Sequence, residues 1–262
     1  MALIEHIKNF LPIKQLRICR YNRKFECDGY SCFRGVFNSF DEAYASAPKK
    51  KNIGFNFPEV ADLFLERTSK IQSYDYPMIF WLRSIIEKHQ TLFDYGGNIG
   101  VHYYAYKEYL KYPEGLTWKV CEVPEVAKAG EKMAREKGVE NLKFVMEFDA
   151  AEGSDILISA GALQYVEAPM IFESLVKLKR RPQYLLFNKL PLYEGPGFVT
   201  LQNAGCSFTA QHVYNKQWFV GEMEKIGYEL RDMWDVYGLG CAIPFYPENS
   251  FKLYTGLFFH IE

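Results

Sequence analysis

A glycine-rich turn at the end of an apolar stretch constrains the fold of this chain more than any other feature. The run Thr91-Leu-Phe-Asp-Tyr-Gly-Gly-Asn-Ile-Gly100 has the pattern of a buried strand that ends in an acid and turns through three glycines into a helix. Gly96 and Gly97 allow backbone conformations that a Cβ atom would block, and Gly100 lets the next helix pack closely against the strand. The pattern predicts a loop that binds a nucleotide-like cofactor.

The spacing of the glycines separates two kinds of cofactor. A dinucleotide fingerprint ending at Gly100 needs a glycine at position 95, which is Tyr95, so a nicotinamide-dependent oxidoreductase is the less favoured alternative. Glu122 ends the apolar strand that starts near Trp118, where doubly wound nucleotide folds place an acid that accepts hydrogen bonds from ribose hydroxyls. The loop and the acid together favour cofactor binding over a plain turn.

The segment Asp94-Tyr-Gly-Gly-Asn-Ile-Gly100 resembles the D-x-G-G-x-x-G form of the first motif of class I S-adenosylmethionine-dependent methyltransferases. The resemblance implies that S-adenosylmethionine is the cofactor and that its ribose binds Glu122. Its methionine part would be surrounded by four residues of the motif: Asp94, Gly96, Gly97 and Gly100. Further contacts, to the adenine and in the turn after the fourth strand, are implied for Val123, Asp149, Ser159 and Gly161.

Strand and helix patterns alternate from residue 91 onward, which predicts an α/β fold with a doubly wound sheet. The resemblance implies a Rossmann-like, mostly parallel, seven-stranded sheet whose last strand is antiparallel. Residues 1–90 lie outside the alternation and contain three helical patterns, so we expect an N-terminal helical cap followed by a methyltransferase domain over 91–262. Residues 191–214 are rich in glycine and proline and predict a long irregular substrate insertion.

Four longer stretches are similar to a little-characterised bacterial family of proteins regarded as methyltransferases, whose genes often lie with surface-polysaccharide (capsule) genes. The similarity spans most of the chain, and it implies fold and cofactor far better than substrate. The stretches are Phe33-Arg-Gly-Val-Phe-Asn-Ser-Phe-Asp-Glu-Ala43, Tyr74-Asp-Tyr-Pro77, Ser159-Ala-Gly-Ala-Leu-Gln-Tyr165 and the region from Leu190 to Asn203.

Charge and hydropathy limit the partners. Lys plus Arg (31) balances Asp plus Glu (32), which argues against nucleic acid as a main partner. No apolar run approaches the length of a transmembrane helix, and we expect a cytoplasmic protein. Residues 1–20 mix apolar and basic residues and predict at most weak contact with a membrane surface, because Pro12 interrupts the pattern. The oligomeric state stays open.

The methyl acceptor decides which side chains do chemistry. A hydroxyl needs a general base, and His212 is the best candidate because it ends the 191–214 insertion; Gln164 and Tyr165 follow the fourth strand, where cofactor and acceptor usually meet. An amine needs aromatic and amide groups instead, and no metal is required for either. Residues of that kind are Tyr74, Tyr76, Tyr193, Gln202 and Asn203. O- and N-transfer both stay open, as does a catalytically silent binding protein.

Overall fold

The computed structural model describes residues 11–29 and 31–262, and the first ten residues of the predicted membrane-surface stretch lie outside this range. The helices, numbered in chain order, are α1 (Leu11–Asp28), α2 (Phe40–Ala45), α3 (Glu59–Phe64), α4 (Tyr76–Ile85), α5 (Val101–Tyr106), α6 (Pro124–Glu136), α7 (Met170–Lys177) and α8 (Lys216–Lys225). Short 3-10 turns include Leu65–Ser69, Ser73–Asp75, Phe148–Ala151 and Leu163–Tyr165.

The strands are also numbered in chain order. They are β1 (Phe33–Phe37), β2 (Asn52–Ile53), β3 (Thr91–Tyr95), β4 (Thr117–Cys121), β5 (Leu142–Val145), β6 (Ile156–Ala160), β7 (Tyr184–Leu190), β8 (Leu192–Tyr193), β9 (Phe198–Asn203), β10 (Ser207–Asn215), β11 (Glu229–Val236) and β12 (Tyr254–His260).

Within the described residues, seven of these strands form one sheet in the order β11-β12-β7-β6-β3-β4-β5. The pairs from β7 to β5 are parallel, and β12 runs antiparallel to both of its neighbours. The chain therefore has the doubly wound, mostly parallel sheet with an antiparallel last strand that the resemblance implies. The carboxyl ends of β3, β4, β6 and β7 meet at one edge of this sheet.

The central strands are apolar because helices cover both faces of the sheet. Every residue of β6 is buried, and side chains of β3 alternate between two hydrophobic clusters, with Leu92 in one and Phe93 in the other. Trp118 of β4 is fully buried in the cluster of Leu92, and Phe187 of β7 in that of Phe93. Near-continuous apolar runs are the expected signature of parallel strands buried on two sides.

The chain divides into two compact units, and their boundaries differ from the expected division at residue 90. The first unit comprises the described residues before Phe55 together with 198–211 and 242–250. The second comprises 55–197, 212–241 and 251–262, so that the helical residues 55–90 belong to the unit of the seven-stranded sheet. Contacts between distant parts of the chain define this division, and no local pattern reveals them.

The first unit contains a sheet of its own, in the order β1-β9-β10-β2. Strand β1 is antiparallel to β9, and β2 pairs in parallel with the start of β10. Phe25 of α1 stacks on Phe208 of β10 with ring centroids 5.2 Å apart, and Leu201 packs beside them. The expected N-terminal helical cap thus also contains two strands, at 33–37 and 52–53, which the sequence patterns did not predict.

The expected irregular insertion at 191–214 is also wrong as a description of local structure, because β8, β9 and most of β10 lie there. Residues of β9 and β10 are buried on both sides, so they lack the alternation of polar and apolar residues that identifies a half-exposed strand. Pro12 lies in the first turn of α1 as described from Leu11, where proline is tolerated. None of the described helices is both long and apolar enough to span a bilayer.

We predict that Asn203→Ala destabilises the first unit by about 2–4 kcal/mol, because it removes hydrogen bonds to several buried groups. The Asn203 side chain is fully buried; it donates to the Phe25 carbonyl and accepts from the Gly205 amide (2.9 Å) and from Lys51 Nζ (3.1 Å). Urea denaturation measures the change. The exposed Asn52 of the same unit supplies the control, and an Asn203→Ala variant as stable as Asn52→Ala contradicts the prediction.

Candidate functional site

The glycine loop follows β3 at the carboxyl edge of the sheet and has left-handed backbone at three positions. Gly96 has φ of 72°, Asn98 of 53° and Gly100 of 88°. Glycine adopts this region without steric cost, and Asn is one of the few other residues that tolerate it. The loop turns the chain directly into α5, whose N-cap is the left-handed Gly100. This is the geometry that the sequence predicts for a cofactor loop.

Close packing inside the protein explains the glycines as well as any ligand does. A Cβ atom on Gly96 would lie 2.1 Å from the Cβ of Ala162, and one on Gly97 would lie 2.4 Å from Oδ2 of Asp94. A Cβ on Gly100 would lie 2.8 Å from a methyl carbon of Leu142. A bulky residue at any of these positions would distort the loop, so glycine substitutions here do not isolate an effect on a ligand.

The Asp94 carboxylate is fully buried and is held by side chains of its own unit. His102 Nδ1 lies 3.0 Å from Asp94 Oδ2, and Trp118 Nε1 donates to the same oxygen at 3.3 Å. The resemblance implies a contact between Asp94 and the cofactor, whereas these hydrogen bonds give Asp94 a role in shaping the loop. His102 lies on α5, as expected for a residue just after the glycines.

Glu122 follows β4 beside the glycine loop. Its Oε2 accepts the Val123 amide at 2.8 Å, and the carboxylate also accepts the backbone amide of Asn98. Burial of the carboxyl group raises the pKa of Glu122 to about 7, and the nearby Asp94 adds to this increase. The two hydroxyls of a ribose would add hydrogen-bond donors to this carboxylate and favour its charged form.

The other predicted cofactor residues divide between the loop surroundings and the surface. Val123 caps α6 directly after Glu122, and Asp149 is exposed in a 3-10 turn after β5. Ser159 is buried and its hydroxyl donates to the Tyr95 carbonyl at 2.9 Å, which ties β6 to β3. Gly161 has φ of 88°, a left-handed backbone conformation that glycine adopts without steric cost.

Gln164 and Tyr165 lie in the 3-10 turn after β6. Gln164 is 3% exposed, and its Oε1 has no hydrogen-bond donor within the described part of the chain. The Tyr165 ring packs edge-on against the ring of Phe55, with the ring centroids 4.8 Å apart. The structure thus brings a buried, under-bonded amide to the strand edge where the sequence predicts one.

His212 lies in β10, with its ring 4.4 Å from that of Tyr214. The Tyr214 hydroxyl donates to the Leu163 carbonyl at 2.7 Å, so His212 lies near the turn that holds Gln164. Burial lowers the pKa of His212 to about 4, and its Nδ1 has no partner among the described residues. The imidazole is neutral at pH 7, but it lacks the carboxylate that orients and strengthens many catalytic histidines.

The residues predicted to line an acceptor pocket fall into both compact units. Tyr74 is partly buried near the end of β7, whereas Tyr76 is 57% exposed and packs on Tyr109. Tyr193 stacks on Phe251 and donates to the Pro196 carbonyl. Gln202 and Asn203 belong to the first unit, where Asn203 closes the turn between β9 and β10.

Sequence reasoning missed two polar residues at the end of β7, Asn188 and Lys189. Asn188 is fully buried, and its Nδ2 donates to the Tyr74 carbonyl at 2.8 Å. Lys189 has φ of 59°, which is rare for a residue other than glycine. The signal was present, because an amide and a cation interrupt the otherwise apolar run Tyr184-Leu-Leu-Phe-Asn-Lys-Leu190. No group of acids, histidines and cysteines in the described chain has a metal-binding arrangement.

We predict that protonation of His212 destabilises the fold in mild acid. The folded-state pKa of about 4 lies below the ordinary value, so the unfolded chain binds the proton first. The contribution of His212 to the free energy of unfolding is complete above pH about 6.5 and falls by about 3 kcal/mol as pH decreases to about 4. Urea unfolding of the wild type and His212→Gln across this range measures it, and a difference between the two proteins that does not change with pH contradicts it.

Comparison with known proteins gives structural similarity and no sequence family. No protein-family model matches the chain, and no curated protein matches it by sequence. Among solved structures, the chain is similar to the 1,6-didemethyltoxoflavin-N1-methyltransferase of Burkholderia thailandensis, which was solved with 1,6-didemethyltoxoflavin and S-adenosylhomocysteine bound. The TM-score is 0.50 at 16% identity, over 72% of this chain and 78% of the other.

A second similar structure is an S-adenosylmethionine-dependent methyltransferase from Clostridium acetobutylicum ATCC 824. The TM-score is 0.51 at 9% identity, over 78% of this chain and 98% of that enzyme. At such low identity the likeness concerns the fold alone. Together with the order and direction of the seven strands, it shows that this chain has the fold of the class I S-adenosylmethionine-dependent methyltransferases.

Proposed function

We propose that the protein is an S-adenosylmethionine-dependent methyltransferase that acts on a small-molecule or sugar-linked acceptor. The observation that carries the proposal is the pairing of Glu122 with the glycine loop at the carboxyl edge of the sheet. Doubly wound sheets bind nucleotide-like ligands at this edge, next to the acid that follows the second strand. The fold that the chain shares with known methyltransferases supports the same cofactor.

The residues at the loop fit this cofactor. Glu122 would accept the ribose hydroxyls, whose hydrogen bonds favour its charged form, and the methionine part would lie along the backbone of Gly96 and Gly97. Val123 would pack on the adenine. When bound, S-adenosylmethionine supplies a methyl group that its sulfonium already activates toward a nucleophile. The protein then has to orient the acceptor and exclude water.

The polar groups near the glycine loop indicate the chemistry of the methyl acceptor. The buried side-chain amide of Gln164 lies in the turn after β6. Its Oε1 has no donor in the described chain, so it suits a methyl acceptor whose hydroxyl or amine donates a hydrogen bond to it. We propose that Gln164 and Tyr165 orient the hydroxyl or amine of the methyl acceptor, and that neutral His212 accepts the proton if this acceptor group is a hydroxyl. The family resemblance supports a role in surface-polysaccharide biosynthesis. The catalytically silent alternative predicts cofactor binding with no turnover.

We predict that Glu122→Gln weakens binding of S-adenosylhomocysteine by about 1–3 kcal/mol, because a neutral amide replaces a charged acceptor of the ribose hydroxyls. The wild-type affinity should rise as pH increases from about 6 to about 8, since ribose binds the ionised form of a carboxyl whose pKa is raised to about 7. Glu122→Gln should lose this dependence on pH. Isothermal calorimetry at several pH values measures both effects.

Glu125→Gln is the matched control, because Glu125 is a partly exposed acid on the first turn of α6 and pairs with Lys128. It should bind S-adenosylhomocysteine like the wild type. NAD should not bind either protein. If Glu122→Gln binds S-adenosylhomocysteine as tightly as Glu125→Gln does at pH about 8, the ribose lies elsewhere; if the wild type binds NAD instead, the protein is not a methyltransferase.

A further inference from the structure

Lys189, at the end of β7, has a strained backbone that neighbouring groups hold in place. Its φ of 59° costs on the order of 1 kcal/mol for a residue with a Cβ atom. The Lys189 amide donates to Oδ1 of Asn188 at 3.0 Å, and the same oxygen accepts Trp234 Nε1 at 3.2 Å. The Asn188 carbonyl in turn accepts the Gly161 amide at 3.0 Å. Strain of this kind persists where the surrounding structure fixes it, and it often occurs at functional sites.

The strained backbone directs the Lys189 side chain along the turn that follows β6. Its Cε lies 3.4 Å from the position of a Cβ atom on Gly161, so the absence of a side chain at Gly161 leaves room for the lysine. The ammonium lies over the ring of Tyr74, 5.4 Å from the ring centroid. The positive charge is therefore held at the carboxyl ends of β6 and β7.

No carboxylate in the described chain forms an ion pair with this ammonium. Asp75 and Asp94 are the acids close enough to raise the pKa of Lys189, and both already accept hydrogen bonds from other groups. Asp75 accepts the Gln72 amide and the Tyr106 hydroxyl, and Asp94 accepts His102 and Trp118. Burial lowers the pKa of Lys189, and the nearby Arg67 opposes its charge as well. A desolvated cation without a counter-ion is costly, and an anion would offset the cost.

Gln164 supplies a second unsatisfied group beside the lysine. Its Nε2 lies 3.8 Å from the same Cβ position on Gly161 that Lys189 approaches. Its Oε1 is buried and accepts no hydrogen bond from the described residues. Buried polar atoms nearly always have a partner, so this oxygen indicates a donor that comes from a ligand. The cation and the amide oxygen together suit a molecule with an acidic group near a hydroxyl or an amine.

The order of the strands separates this pair from Glu122, the residue expected to bind the ribose. Glu122 follows β4 on one side of β3, whereas Gln164 and Lys189 follow β6 and β7 on the other. Resting on the proposed function, we propose that Lys189 and Gln164 form the acceptor subsite and that the methyl acceptor is acidic. Lys189 binds a carboxylate or similar acidic group of the acceptor, and Gln164 Oε1 accepts from the hydroxyl or amine that is methylated. Simple neutral alcohols and amines are then poor acceptors.

The test uses acetate as the probe and the Lys189 ammonium as the reporter. Full-length protein labelled with ¹⁵N-lysine is saturated with S-adenosylhomocysteine and titrated with sodium acetate, and with sodium chloride at equal ionic strength. The Nζ resonance of Lys189 is assigned by its loss in Lys189→Met. We expect a saturable shift with acetate and none with chloride. Gln164→Glu, which places a competing carboxylate in the subsite at almost constant size, should weaken the acetate response by about tenfold or more.

Lys143→Met is the control, since Lys143 is exposed on β5 at the far edge of the sheet, and it should leave the acetate response unchanged. Equal shifts with acetate and chloride, or no shift at all, overturn the proposal. The acetate titration is repeated without S-adenosylhomocysteine; if acetate shifts the resonance only in this cofactor-free sample, Lys189 binds the carboxylate of the cofactor and the acceptor assignment is overturned. Calorimetric titration of the same protein variants with S-adenosylhomocysteine measures cofactor binding separately, so a failure of the proposed function is seen independently.

Discussion

The buried carboxylate of Asp94 is the interaction on which the cofactor loop depends. It lies fully buried at the end of β3 and is held by His102 from α5 and Trp118 from β4. The approach of this carboxylate to Gly97 leaves no space for a side chain there. One acid therefore links two strands and a helix and fixes the path of the loop. A buried carboxylate of this kind is tolerated because neighbouring groups donate hydrogen bonds to it.

The same loop places Glu122 in the opposite situation. Asp94 accepts hydrogen bonds from two side chains, whereas in the described chain Glu122 accepts backbone amides, and burial raises its pKa to about 7. Two acids that are close in space thus have different roles, one structural and one available to a ligand. Sequence spacing identified both residues but assigned both to the cofactor. Hydrogen-bond partners distinguish them, and these partners come from elements that the motif does not include.

Local patterns predicted the alternating strands and helices of a doubly wound sheet, because strands buried on both faces leave continuous apolar runs and helices between them leave periodic ones. The number of strands and the antiparallel last strand were implied by the resemblance to class I methyltransferases. They predicted the first unit poorly. Strands β9 and β10 pair with β1 and β2, more than 100 residues away along the chain, and no local signal encodes such pairing. For the site, Gln164 followed from its position after β6. Lys189 did not, because only the left-handed backbone turns it toward Gly161.

The central claim is that S-adenosylmethionine binds at the carboxyl edge of the sheet, between Glu122 and the glycine loop. A crystal structure of the protein grown with S-adenosylhomocysteine tests it most directly. The account predicts that both ribose hydroxyls donate to the Glu122 carboxylate and that the homocysteine part lies along Gly96 and Gly97, while Asp94 keeps its bonds to His102 and Trp118. Electron density for the ligand away from β3 and β4, or a Glu122 carboxylate that contacts no part of it, would contradict the account.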